Sequence, residues 1–122
     1  MSTDLAPPLR QRLRSALTAA MKARDSVAVP ALRSALAAID NAEAVAHDAV
    51  EARNLAIETT PVGAGTTEMA RRVLTEADVL AIVRADVAER EAAALGYERA
   101  NQPERAQLLR AQAEVLSAHL PA

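Results

Sequence analysis

Histidine and carboxylate side chains, which can bind metals or transfer protons, lie close together near the middle of the chain. His47, Asp48 and Glu51 fall within little more than one helical turn, and His119 is the only other histidine. Metal sites in proteins usually need more converging ligands than one such turn supplies, and the chain has no cysteine to add. We therefore interpret this group as a solvated helix face, and we expect neither a metal nor a cofactor.

Patterns that mark a nucleophile or a phosphate-binding loop are missing from the sequence. Residues 63–65, Gly-Ala-Gly, lack the lysine and hydroxyl residue that end a P-loop, and no serine stands in a nucleophile elbow. Asp86 and Arg90 form a favourable i,i+4 pair within a run of acidic and basic residues that is typical of an exposed helix face. The residues alone therefore predict no catalytic site.

Basic residues cluster near the N-terminus. Residues 5–24 carry five of them and no acid, whereas the rest of the chain sums to a net charge of −7. Helical spacing places three of the five away from the leucines, on a face that can contact phosphates. Without interleaved aromatic residues such contacts would be to the nucleic-acid backbone, and a solubilising face is the alternative. The predicted RNA-binding residues are Arg10, Arg14 and Lys22, with Arg71 and Arg72 as the next candidates.

Four amphipathic helices must position these residues. The patterns predict helices over about residues 7–24, 27–50, 75–97 and 103–119, and a short one over residues 68–73. Thr75 and Asp78 form a variant of the capping box at the start of the third long helix. With no alternating strand pattern, we predict one all-α domain over residues 1–122, a four-helix bundle or a pair of helical hairpins, with a flexible loop over about residues 51–66.

Apolar repeats predict which side chains form the core. On the first helix these residues recur every four positions, and on the last two they form stripes that can face each other across a hairpin. The first set is Leu5, Leu9, Leu13, Leu17 and Met21, and the second is Val83, Val87, Leu109 and Leu116. We expect the last two helices to form an antiparallel hairpin around this second set.

The composition excludes several classes of protein. The net charge of −2 argues against bulk affinity for nucleic acid, and there is no cysteine, phenylalanine or tryptophan. No apolar stretch is long enough to cross a bilayer, and the N-terminus is polar with early prolines, unlike a secretory signal. We expect a cytoplasmic protein that has no membrane partner.

Several short motifs follow one another in a defined order between residues 17 and 121. The first helix ends in AMKARD (residues 20–25), and the second carries Leu32-Arg33, Leu36, Ile39 and Glu43. The last two carry Leu74-Thr75, Arg90, Tyr97, Glu114 and Leu120-Pro121. In these motifs the chain resembles the larger, N-terminal helical part of the GatB/YqeY family, from which its Thr/Pro/Gly-containing loop departs. The family-motif residues are Arg33, Glu43, Arg90, Tyr97 and Glu114.

The resemblance implies a stand-alone relative of the tail domain of the tRNA-dependent amidotransferase. Stand-alone members often carry a label of carbon–nitrogen ligase activity with glutamine as amido donor, but the amidotransferase's catalytic machinery lies outside this domain. We therefore expect an accessory domain that docks to tRNA or to a tRNA-aminoacylating or amidating enzyme. The alternative is a protein-interaction module without RNA binding or catalysis, which could also self-associate. Whether the chain is an enzyme stays open.

Overall fold

Four α-helices account for most of the described chain. The computed structural model describes residues 6–56 and 74–122, and no strand occurs within these two stretches. The helices are α1 (Leu9–Ala23), α2 (Ala28–Ala56), α3 (Glu76–Arg99) and α4 (Pro103–Ser117). α1 packs on α2, α3 packs most extensively on α4, and α2 lies against both α3 and α4. The prediction of an all-α four-helix bundle is confirmed.

The junction between α1 and α2 is closed by backbone and side-chain hydrogen bonds. Arg24 adopts the left-handed conformation with φ 55°, and the amide of Asp25 donates to the carbonyl of Ala20 at 2.9 Å. This closure satisfies carbonyls that a helix end leaves unpaired. The carboxylate of Asp25 then accepts from the amides of Val27 and Ala28 at 3.1 and 3.0 Å, which caps the start of α2. The predicted break between the first two helices, at residues 25–26, is confirmed.

The start of α3 caps two helices at once. The hydroxyl of Thr75 accepts from the amide of Asp78 at 3.1 Å, and the Asp78 carboxylate accepts from the amide of Thr75 at 2.9 Å. This reciprocal pair confirms the predicted capping box. In addition, Glu76 accepts at 2.8 Å from the amide of Leu9, the first residue of α1. Because Pro8 offers no side-chain cap there, α3 supplies the missing acceptor to α1.

The core draws on every helix. Its six largest fully buried side chains are Leu9, Leu13, Leu32, Ile39, Val83 and Leu116. Two predicted core positions are wrong, because Leu109 is only half-buried and Met21 is 49% exposed. A four-residue spacing turns about 40° further around a helix at each step, so the α1 stripe turns away from the core gradually. Leu17 is only partly buried against the core, and Ala20 replaces Met21.

Four helix boundaries differ from the prediction by two or more residues. α1 begins at Leu9 rather than at Pro7, and α3 ends at Arg99 rather than at Tyr97. α2 continues to Ala56 instead of ending near Val50, because residues 51–56 contain no glycine or proline and include good helix formers. α4 ends at Ser117 rather than at His119. The remainder of the predicted flexible loop and the short helix predicted over residues 68–73 lie outside the described residues.

Candidate functional site

Arg10 is held against α2 and not on an open face. Its Nη1 lies 3.3 Å from Oε2 of Glu43, and its Nη2 lies 3.9 Å from Oδ1 of Asp40. The Arg10 side chain is only 23% exposed, because the neighbouring Leu9 is a core residue and turns this edge of α1 towards α2. The prediction that Arg10 lies on a solvent-facing surface is therefore wrong. The contact brings an expected RNA-binding residue together with a family-motif residue, Glu43.

Arg12 joins the start of α1 to the segment that follows α4. Its Nε donates to the carbonyl of Pro7 at 3.0 Å, and its Nη1 donates to the carbonyl of His119 at 2.7 Å. Burial, with Arg12 nearby, lowers the pKa of the His119 imidazole below its ordinary value. A shallow cleft of about 430 Å³ opens here between Gln11, Ser15 and His119. Arg12 was not singled out from the sequence, because its acceptor lies 107 positions along the chain.

Three basic residues of the N-terminal cluster remain at the surface. Arg14 and Lys22 are exposed on α1, and Arg24 is exposed at its C-terminal end. None of the three forms an ion pair within residues 6–56 and 74–122. We call this set, Arg14, Lys22 and Arg24, the α1 cationic edge. The other RNA-binding candidates, Arg71 and Arg72, lie outside the described residues.

Arg90 connects α3 to α4 in a nearly buried polar cluster. Its Nε donates to Oδ1 of Asp86 at 2.8 Å, and its Nη1 donates to Oε1 of Gln112 at 2.6 Å. The Arg90 and Asp86 side chains are 14% and 15% exposed, and Gln112 is buried. The predicted i,i+4 pair is confirmed, but its predicted place on an exposed face is wrong, because the pair packs against Gln112 of α4. No pattern in the sequence marked Gln112 as the third member. This family-motif arginine holds the hairpin together and does not face an open site.

The other family-motif residues are distributed over three helices. Arg105 places its guanidinium 5.7 Å from the ring centre of Tyr97, a cation–π contact at the hairpin turn. On α2, Nη2 of Arg33 lies 4.0 Å from the sulfur of Met21. Glu114 lines an open groove on α4. The motif residues therefore do not converge on one site.

A groove beside Glu114 combines charged and apolar side chains of α3 and the end of α4. It has a volume of about 680 Å³, and we call it the α3–α4 groove. Its lining consists of Glu91 and Leu95 from α3 with Arg110, Glu114, Ser117 and Ala118 from the end of α4. Nη1 of Arg110 lies 2.7 Å from Oε2 of Glu98, and this hydrogen bond lowers the pKa of the Glu98 carboxyl. The groove therefore brings two carboxylates, a guanidinium and an apolar side chain to one surface.

Metal binding and membrane insertion find no support in the described stretches. His47 lies 3.4 Å from Glu51 in an exposed i,i+4 pair, and no group of three suitable ligands converges there or elsewhere within those residues. The same stretches contain no helix that is both long and apolar enough to cross a membrane.

Comparison with known proteins provides no relative from which a function could be transferred. No protein-family model, curated protein or solved structure matches the chain. Functional inference therefore depends on the placement of its own charged and apolar residues.

Proposed function

We propose that this chain is an accessory helical domain of the GatB/YqeY type that docks to tRNA. The order of motif residues from the AMKARD segment to Leu120-Pro121 supports the family, and the paired helical hairpins are compatible with it. The proposal assigns no catalytic step, because the family label of carbon–nitrogen ligase activity finds no converging residues in the described stretches. A role in bringing tRNA to an aminoacylating or amidating enzyme is the wider form of the same proposal.

The observation that carries the proposal is the α1 cationic edge. Arg14 and Lys22 are eight residues apart, which is about 12 Å along a helix, and Arg24 extends the edge past the helix end. Their side chains are exposed and form no ion pair within the described stretches, whereas the rest of the chain has a net negative charge. Phosphate groups are the ligands that such an edge selects, and the contact carries no sequence information.

A charge-reversal series with a matched control tests the proposal. Arg14→Glu, Lys22→Glu and Arg24→Glu together should abolish tRNA retention in filter binding at low salt. The control replaces three exposed arginines elsewhere, Arg53, Arg84 and Arg99, by Glu and makes the same change in net charge. Arg10 is left intact in both, because a glutamate at this position would face the carboxylates of Glu43 and Asp40 on α2.

Salt dependence separates a phosphate contact from a general charge effect. For wild type, the logarithm of the binding constant should fall with the logarithm of the salt concentration. The slope should correspond to up to about three phosphate contacts, roughly 0.9 each on duplex scales, and the control variant should retain most of this slope. If the two triple variants weaken binding equally, the α1 cationic edge is not the tRNA site. If wild type does not bind at low salt, the tRNA proposal is wrong.

A protein-docking module without RNA contact is the second candidate. The observation that favours it is the internal use of Arg10 and Arg12, which leaves only part of the N-terminal cluster for phosphates. Such a module would fail to bind tRNA at low salt but would retain a protein partner at higher salt, where phosphate contacts are lost.

A further inference from the structure

The α3–α4 groove contains two carboxylates, Glu91 and Glu114, and its one lining arginine is paired elsewhere. Glu114 lies four residues after Arg110 on α4, but Arg110 reaches across to Glu98 instead, at 2.7 Å. On α3, Glu91 follows Arg90, whose guanidinium is held by Asp86 and Gln112.

Within the described stretches, neither Glu91 nor Glu114 forms an ion pair. Both side chains are exposed on the groove walls, one from each helix. The groove therefore has a surplus of negative charge, because Arg110, the arginine that lines it, pairs with Glu98.

An apolar side chain lies on the same wall as one of these carboxylates. Leu95 is one turn along α3 from Glu91, lines the groove and is 48% exposed, and Ala118 lines it from the other helix. A volume of about 680 Å³ admits several side chains of a partner. An apolar surface flanked by acids fits a segment that presents an aliphatic residue beside a cation.

We propose that the α3–α4 groove docks a basic amphipathic segment of a partner protein. A lysine or arginine of that segment pairs with Glu91 and Glu114, and an aliphatic side chain covers Leu95. A nucleic acid is excluded as the occupant, because its phosphates would face the same two carboxylates. The groove shares no residue with the α1 cationic edge, so this inference and the proposed tRNA contact can succeed or fail separately.

Fluorescence anisotropy with a labelled helical peptide of leucine, lysine and alanine tests the inference at about 0.1 M salt. Wild type should bind this peptide but not a matched peptide in which glutamate replaces every lysine. Glu91→Gln with Glu114→Gln should weaken binding by roughly threefold to tenfold, as expected for two exposed ion pairs. Leu95→Ala should weaken it by about fivefold through lost apolar contact.

The matched control replaces Asp48 and Glu51, two exposed acids on α2, by their amides. It removes the same charge away from the groove and should leave peptide affinity at the wild-type value. All replaced side chains are exposed, so circular dichroism should show unchanged helicity. Equal weakening by the groove and control variants, or no binding by wild type, would overturn the proposal.

Two further measurements decide against other occupants. An excess of tRNA should not displace the peptide, and displacement would mean that the groove is not a separate protein site. Sedimentation equilibrium should find no association that depends on the groove. If wild type self-associates and the Glu91→Gln, Glu114→Gln variant does not, the occupant is a second copy of this chain, and the assignment to another protein is wrong.

Discussion

Two arginine clusters join helices in this protein, and they differ in burial and geometry. Arg90 links α3 to α4 through its 2.6 Å contact with Gln112, and a 2.8 Å contact with Asp86 holds it within α3. Its side chain is 14% exposed. Arg10 links α1 to α2 through longer contacts of 3.3 and 3.9 Å, and its partners Glu43 and Asp40 are 44% and 62% exposed. Both clusters connect two helices that follow each other in the chain. Only the Arg90 cluster has short contacts, is nearly buried and includes a neutral acceptor, Gln112.

The difference indicates that the two clusters contribute unequally to stability. Charged hydrogen bonds strengthen as water is excluded, provided that the donors are satisfied. In the Arg10 cluster Nε and Nη2 are shielded from water without a hydrogen-bond partner in the described stretches, which is unfavourable. We infer that the Arg90 cluster specifies how α3 and α4 pair, whereas the Arg10 cluster adds little to the α1–α2 contact.

Truncation of Leu116, an apolar core residue outside both clusters, should lower the free energy of unfolding more than any change to the two arginines. This side chain is fully buried on α4, so Leu116→Ala should lower the free energy of unfolding by about 2–5 kcal/mol. The control is Leu108→Ala on the same helix, where the side chain is 46% exposed. Urea titration measures both. A loss below about 1 kcal/mol at Leu116 would mean that α4 does not complete the core.

Arg90→Met should have the next largest effect. It keeps the aliphatic stem but leaves Asp86 and Gln112 without their donor, so the expected loss is about 1.5–3 kcal/mol. Arg84→Met, at an exposed position of the same helix, should cost less than about 0.5 kcal/mol. A double-mutant cycle with Gln112→Met isolates the contact between the helices. Coupling near zero would show that the hairpin depends on apolar packing alone.

Contacts between residues close in the sequence could be predicted, whereas contacts between distant residues could not. The Asp86–Arg90 pair and the capping box at Thr75 depend on residues three or four positions apart, so helical geometry alone predicts both. Gln112 completes the first cluster from 22 positions away, where no local rule applies. The four helices and most core positions follow from apolar periodicity in the same way.

The long-range contacts of α1 could not be predicted because they depend on how the hairpins pack. Arg10 meets Glu43 across 33 positions, and Leu9 meets Glu76 across 67. Whether Arg10 faces α2 or solvent depends on the rotation of α1 about its axis, which the helical repeat alone does not determine. The α3–α4 groove is equally non-local, because its lining combines two helices and depends on which partner Arg110 selects.

Arg10→Met tests the weaker cluster and should change the free energy of unfolding by no more than about 1 kcal/mol. The methionine keeps apolar contact with α2 and removes the donors that lack a partner. The substitution should therefore either raise or lower the free energy of unfolding by a small amount. Arg14→Met, one turn along the exposed side, is the control and should be neutral. A loss of stability as large as that of Arg90→Met would contradict the inference that the Arg90 cluster contributes more to stability than the Arg10 cluster.

The smallest effect should come from His119 and should appear only at acidic pH. Burial and the neighbouring Arg12 lower the pKa of His119 in the folded protein below the value of about 6.5 that it has when unfolded. The unfolded chain therefore takes up a proton first, so this contribution to stability is complete above about pH 6.5 and declines as the pH falls through the folded-state pKa. Because His119 is only partly buried, the decline should be about 0.5 kcal/mol or less.

His119→Gln isolates this contribution, because Arg12 bonds to the backbone carbonyl of residue 119, which the substitution retains. Urea titrations of both proteins at about pH 7.5 and about pH 5.5 give the comparison, and the carboxylates common to both cancel. Wild type should lose more stability than the variant on acidification. If wild type and the variant lose the same stability on acidification, neither burial nor Arg12 disfavours protonation of His119. The imidazole would then be more accessible to water than its burial in the structure indicates.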